Sequence, residues 1–300
     1  MSAALPPRAV VVTRPTEYEE ILARHGTRAM AAFFLKSRGR SIDEVEAAHR
    51  VVRSAVDAVL AAIPLTWRRA LVVRADLDRF LFGPDDVVLT VGQDGLVANV
   101  AKYLTGQPVI GVNPSRTLFD GVLAVHSPGL AGEMMVFASH GKGQFEERAL
   151  VEATTADGQR LVALNEIFVG HRAHQSARYR LKVGDATERQ SSSGIVIATG
   201  TGATGWARSI HRQRRCDVPL PGAYARCLVF FVREAFPSVA TGTSIAEGTL
   251  SPETSLWIGS EMNEGGVVFG DGIEEDRIDF HFGVELTVRT AKDALRLLVG

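Results

Sequence analysis

Residues 92–95, Gly-Gln-Asp-Gly, hold one carboxylate, Asp94, between two glycines. The apolar run DVVLTV (86–91) leads into them, and LVANVAKYL (96–104) follows with helical spacing. A strand–turn–helix unit of this kind turns free N–H groups and a partial positive charge toward the turn, which suits phosphate. Gly92 and Gly95 let a phosphate or another backbone come close. Asp94 falls at the carboxyl end of a strand, where open α/β sheets put ligands. It could take a proton from an attacking hydroxyl, or it could cap the helix that begins there.

Two more stretches carry polar groups in apolar settings. ALNEIFVG (163–170) puts Asn165 and Glu166 side by side in an otherwise apolar strand. Alternation buries one of them, so a ligand hydroxyl, a sheet edge or water must meet it. Further on, GIVIAT (194–199) runs into Thr199-Gly200-Thr201-Gly202-Ala203-Thr204-Gly205-Trp206. That loop can offer hydroxyls and N–H groups to a nucleotide, with Trp206 to stack or pack, although Gly/Thr loops also serve as plain turns. GDG (270–272) reads as a β-turn, with Asp271 reaching a ligand as the alternative. Arg233 and Glu234 read as a pair, or Arg233 as a phosphate contact.

The elements that must position these groups fall into two domains. Up to residue 130, strand and helix alternate. RAVVVT (8–13), RALVVR (69–74), DVVLTV and PVIGV (108–112) are short apolar runs of the kind covered on both faces of a parallel sheet. Ser41 and Glu44 make a capping box before a long helix whose face carries Ile42, Val45, Val52, Val56, Val59 and Ile63. Residues 131–300 read as strands with turns between them, including a hairpin at Asp157-Gly158. The expectation is an open α/β (Rossmann-like) domain followed by a mostly antiparallel β-sandwich domain. RSIHRQRRCDVPLPG (208–222) reads as a mobile loop. The end, AKDALRLLV, reads as helical or extended, packing back on the first domain.

Composition excludes several classes. The chain has 33 basic and 34 acidic residues, which argues against a nucleic-acid or polyanion surface. No run approaches the ~18 apolar residues that span a bilayer. Cys216 and Cys227 show no zinc spacing, and the eight histidines show no HExxH or metal triad, so no metal-ligating residues are expected. The default reading is a soluble cytoplasmic protein.

Taken together, the GQDG turn, the Asn-Glu pair and the TGTG loop (199–202) with Trp206 resemble the NAD kinase family. ALNEIFVG, Ser192-Ser193-Gly194 and FVRE (231–234) look most like its mitochondrial-type branch. The resemblance covers most of residues 86–285 in patches. It implies an α/β domain and a β-sandwich-like domain, a homodimer, and phosphoryl transfer from ATP with Mg²⁺ to the adenosine ribose 2′-hydroxyl of NAD. In that reading Asp94 is the base, and Gly92, Gly95, Asn165, Glu166, Thr201, Thr204 and Trp206 bind nucleotide. The donor could also be polyphosphate. A kinase of a lipid or sugar hydroxyl and a nucleotide-binding sensor without turnover are the alternatives. The chain departs from the family's Gly-Gly-Asp-Gly-Thr at Gln93, which fills space where the donor approaches, and at Leu96, which removes a hydroxyl.

Overall fold

The computed structural model describes residues 6–300; residues 1–5, which belong to the first expected domain, lie outside the described residues. The chain divides into two compact units. The first comprises Met1–Val100, Gln107–Glu146 and Arg296–Gly300, and the second Ala101–Gly106 and Glu147–Leu295.

The first unit is built from β1 (Arg8–Thr13), α1 (Glu17–His25), α2 (Arg28–Lys36), α3 (Ile42–Ala61), β2 (Arg68–Val73), β3 (Asp86–Val91), α4 (Asp94–Ala101), β4 (Pro108–Val112) and α5 (Ala131–Ser139). Its strands pair in parallel in the order β2-β1-β3-β4. From β1 the chain moves outward to β2 and then returns to the other side of β1, so the winding reverses between β1 and β3. Val11, Val87, Leu89 and Ile110 of the sheet share one core with Val56 and Val59 of α3 and Met134 and Met135 of α5. β3 is buried at every position. β2 is not covered on both faces as its apolar run implied: only Val72 is buried there, because β2 is an edge strand. Ser41 does cap α3, but its hydroxyl accepts from the Asp43 N–H and no reciprocal bond from Glu44 forms among the described residues. The reciprocal box is at Thr16 and Glu19, ahead of α1.

The second unit contains β5 (Phe145–Thr155) from Glu147 on, β6 (Arg160–Ala163), β7 (Glu166–His171), β8 (Ala177–Val183), β9 (Ala186–Ser192), β10 (Ile195–Ala198), α6 (Trp206–Arg214), β11 (Leu228–Val232), β12 (Glu247–Leu250), β13 (Leu256–Ser260), β14 (Gly266–Gly270), β15 (Ile273–Asp279) and β16 (Glu285–Leu298) as far as Leu295. One antiparallel sheet runs β12-β11-β10-β7-β14-β15. The other carries β16-β13-β8-β9, with β5 and β6 branching from β16. Residues of both sheets, among them Ile167, Ile197 and Phe230 of one and Tyr179, Ile258 and Leu286 of the other, close a single core. This is the sandwich that the alternating runs imply.

One local expectation changes, and one open alternative is decided. Residues 208–214, read as loop, form most of α6, whose Ala207 and Ile210 pack on the β7-β10-β11 face; the loop begins after Arg215, which caps the helix in the left-handed region at φ 53°. The end of the chain is extended: residues Arg296–Leu298 of β16 add a parallel strand beside β4 in the first unit. Among the described residues no helix is long and apolar enough to cross a membrane.

Candidate active site

In the first unit, β3 delivers Gly92 and Gln93 to the start of α4, where Asp94 is the first helical residue. The Asp94 carboxylate does not cap its own helix. One oxygen accepts from the N–H of Val122 at 2.8 Å, the other from Leu123 at 2.9 Å and Ala124 at 2.8 Å. Both oxygens therefore hold the loop that follows β4. Asn113 fixes the same loop from within, donating to the Phe119 carbonyl at 3.1 Å and accepting from the Ser115 N–H at 3.0 Å.

Two clefts adjoin the turn. One, of ≈ 470 Å³, is lined by Gly92 and Gln93 together with residues after β1, from α1 and from α3. The other, of ≈ 390 Å³, is lined by Gln93, Asp94 and Gly95 with Arg116 to Gly121. Gln93 is exposed and lines both. Leu96, by contrast, is 1% exposed and belongs to the core. Of the two departures from the family turn, only Gln93 meets the clefts.

In the second unit, Asn165 and Glu166 are not mid-strand. β6 ends at Ala163 and β7 begins at Glu166, so the pair sits on a bend. Three contacts build that bend. Asp271, held at φ 53° in the β14–β15 turn, accepts from the N–H groups of Leu164 at 2.9 Å and Asn165 at 2.7 Å. The Thr199 hydroxyl donates to the Leu164 carbonyl at 2.5 Å, and the Thr199 N–H to the Asn165 carbonyl at 2.9 Å. Gly202 packs so closely that a Cβ there would lie 2.0 Å from the Asn165 carbonyl oxygen. With the backbone so occupied, the side chains of Asn165 and Glu166 have no hydrogen-bonding partner among the described residues.

The two threonine hydroxyls of the Thr/Gly loop differ in their partners. Thr204 donates to the Thr201 carbonyl at 3.0 Å and so closes its own turn. The Thr201 hydroxyl is buried without a partner among the described residues. Trp206 is a packing surface: it stacks on Phe168, with centroids 5.7 Å apart and planes 16° apart, and the Arg233 guanidinium lies 5.2 Å from its ring. Arg233 also pairs with Glu234 at 3.5 Å.

The charges here are strongly perturbed. Burial, with the Asp271 charge added, raises the Glu166 carboxyl to about 7. Burial raises Asp271 to about 6, against the opposing pull of the Leu164 and Asn165 N–H groups and of Lys102. Lys102 is almost fully buried and pairs with Asp276 at 2.6 Å, while Tyr103 donates to the same carboxylate at 2.9 Å. Two acids poised near neutrality, with an amide and a hydroxyl that have no partner among the described residues, are groups that can exchange hydrogen bonds with a polar ligand.

Asp271 and Lys102 were not singled out from sequence as builders of this site. Asp271 left one signal, an aspartate between glycines in a turn. Lys102 left none, because its partner is distant in the chain.

No family model matches the chain. It is similar to the human protein "NAD kinase 2, mitochondrial", 25% identical over 258 residues, which cover 69% of this chain and 58% of that one. The chain thus spans little more than half the length of that relative. Two solved structures share its fold. They are an NAD kinase from Archaeoglobus fulgidus in complex with ATP (TM-score 0.58, 20% identity, covering 97% of this chain and 93% of that chain), and a yeast NADH kinase complexed with NADH (TM-score 0.62, 14% identity, 98% and 84%). In sequence the chain resembles the NAD kinases, the mitochondrial type among them, and its α/β unit and β-sandwich unit are the fold of those two enzymes.

Proposed function

We propose that the protein transfers the γ-phosphoryl group of ATP to the adenosine ribose 2′-hydroxyl of NAD, giving NADP. The observation that carries this reading is the bend at Asn165 and Glu166. Its backbone is pinned by Asp271 and Thr199, and its side chains, with the orphaned Thr201 hydroxyl, face no protein partner among the described residues. A ribose diol supplies the hydroxyls such a site lacks. The relatives' names support the same substrate.

In the reaction the 2′-oxygen attacks the γ-phosphorus, the bond to the ADP oxygen breaks, and the hydroxyl proton goes to a base. Asp94 is the proposed base. Glu166 and Asn165 orient the ribose, and the N–H groups at the start of α4 with Gly92 and Gly95 receive phosphate oxygens. Among the described residues no group of three His, Cys, Asp or Glu side chains is arranged to hold a metal. Mg²⁺ needs only one or two carboxylates plus substrate phosphates. Asp120, exposed beside Asp94 in the second cleft, fits that requirement. Mg²⁺ bound there would neutralise charge developing on the phosphates. A homodimer belongs to the same reading and rests on the family resemblance; the cytoplasmic setting rests on the composition of the sequence.

One observation favours a second reading, a nucleotide-binding protein without turnover: both Asp94 oxygens are already taken by backbone N–H groups. A single assay separates the two. Purified protein is given Mg²⁺, ATP or polyphosphate, and NAD or NADH, with NADP(H) read by a specific dehydrogenase. Turnover supports the kinase. NAD binding without turnover supports the sensor.

A further inference from the structure

A cavity of ≈ 330 Å³ in the second unit is lined by Arg226, Pro252, Arg289, Thr290, Ala291 and Lys292. Half of these residues carry a cation and none is acidic. Glu253 and Asp293, beside Pro252 and Lys292 in the chain, are not part of the lining. The chain as a whole is balanced, with 33 basic and 34 acidic residues, so the excess is local. We infer that this cavity binds a compact phosphate-bearing anion with two or more negative charges. The site shares no residue with the Asp94 turn or the Glu166 bend. The inference goes beyond the kinase reading and does not depend on it.

Three observations carry it. First, two of the cations are held in place. Arg226, just ahead of β11, reaches β16, where its Nη2 donates to the carbonyls of Ala291 at 3.3 Å and Lys292 at 3.1 Å. Arg289 on β16 donates through Nη2 to Glu152 Oε1 at 3.1 Å. Glu152 is 5% exposed, and its other oxygen accepts from Arg160 at 3.0 Å. One carboxylate thus serves two guanidinium groups and balances the charge of one. The other N–H groups of Arg226 and Arg289 make no bond among the described residues. Second, Lys292 is exposed and has no partner among the described residues. An ammonium on a flexible stem can swing onto whatever the two fixed groups hold. Third, Thr290 is 7% exposed, and its hydroxyl has no hydrogen-bonding partner among the described residues. Burying a hydroxyl without a bond is costly, and an anionic oxygen in the cavity would accept its proton.

The arrangement selects the ligand class. The volume is at the lower end of the ~300–1,000 Å³ typical of small-molecule sites. Like charges gathered there repel one another until an anion enters. The donors come from β16 and from the segment ahead of β11, so they meet a ligand from more than one side. The tetrahedral oxygens of a phosphate accept from several directions, whereas a carboxylate presents two oxygens in one plane. A single phosphate leaves part of the charge unmatched; two linked phosphates match it.

The test is calorimetry in phosphate-free, low-salt buffer without Mg²⁺, with inorganic phosphate, pyrophosphate and citrate as the probes. It is applied to the full chain and to Lys292→Glu and Thr290→Val. Pyrophosphate should bind at least about tenfold more tightly than inorganic phosphate, and added salt should weaken it because the cations are exposed. Lys292→Glu should weaken pyrophosphate on the order of tenfold, and Thr290→Val about threefold or more. Since Lys292 is no part of the Asp94 turn, that loss assigns the binding to this cavity and not to the N–H groups of α4. No saturable binding, an affinity unchanged in either folded variant, or citrate bound as tightly as pyrophosphate would each overturn the inference. Should Thr290→Val fail to fold, Lys292→Glu, a change at an exposed and unpaired side chain, decides it alone.

Discussion

The turn at Asp94 and the bend at Glu166 both bring a carboxylate to the end of a strand, and they treat it in opposite ways. Asp94 has three N–H groups from Val122, Leu123 and Ala124 on its two oxygens. At the bend that backbone-holding task falls to Asp271 and Thr199, and Glu166 is left with burial and no hydrogen bond among the described residues. A carboxylate that accepts several N–H groups is fixed in place. One that is buried without donors keeps its proton into the neutral range. The difference separates a group that shapes a loop from a group whose side chain the described residues leave unpaired. It also means that Asp94, to act as a base, must do so while organising the loop beside it.

The largest expected effect breaks this double duty. Asp94→Asn should lower kcat by about 10²–10⁴ if the carboxylate takes the hydroxyl proton. It also replaces one accepting oxygen with an NH₂ facing a backbone N–H, so stability should fall by about 1–3 kcal/mol. Steady-state kinetics and a thermal melt read the two separately. A variant that loses stability but keeps its rate reduces Asp94 to a loop holder.

Glu166→Gln is the matching change at the bend. It should weaken NAD binding by about 1–3 kcal/mol in calorimetry, the range for a hydrogen bond to a charged group. Because no N–H group of the protein depends on that side chain, the melting temperature should not drop. An unchanged affinity removes Glu166 from the ligand.

The pH dependence sharpens the contrast further. Folding raises Glu166 from 4.5 to about 7 and Asp271 from 3.8 to about 6. Across that interval the folded chain binds more protons than the unfolded one, so this contribution to stability is complete at the acidic end and is lost as pH rises toward 7. Melting curves from pH 4 to pH 8 should show the decline, and Glu166→Gln should flatten it. NAD affinity should run the other way, rising as Glu166 ionises, because a carboxylate accepts what a ribose hydroxyl donates.

The smallest effect concerns the orphaned hydroxyl. Thr201→Val keeps the shape and removes a buried group without a partner, so stability should stay level or rise slightly. NAD affinity should fall by about 0.5–1.5 kcal/mol if that hydroxyl meets the ligand. Thr204→Val makes the internal comparison: it breaks a bond within the loop and should cost stability instead.

Local chemistry was legible in the sequence, and distant partnership was not. The strand–turn–helix unit around Asp94 and the Asp157-Gly158 hairpin follow from residues within a few positions of one another. β2 misled because an apolar run reports composition, while its coverage depends on a neighbour that never comes. Residues 208–214 misled because six polar or charged side chains hid the few apolar contacts, Ala207 and Ile210, that seat α6. The role of Asp271 could not be read, since it lies more than a hundred positions from Leu164 and Asn165, whose N–H groups it accepts. The three accepted bonds of Asp94 were missed for the same reason: the loop they hold has no pattern of its own.

The pairing of β16 with β4 has a consequence for biosynthesis. β4 leaves the ribosome early, but the strand that covers its open edge, Arg296–Leu298, emerges long afterwards. Two further ties wait for the same residues: the Gln144 N–H reaching the Gly300 carbonyl and His126 Nε2 at 2.8 Å from the Leu298 carbonyl. The first unit therefore cannot be completed in order of synthesis. Throughout translation of the second it carries a nascent sheet with one edge unsatisfied, the state in which strands recruit strangers. A tag or a shortening at residues 296–300 would make that passing exposure permanent.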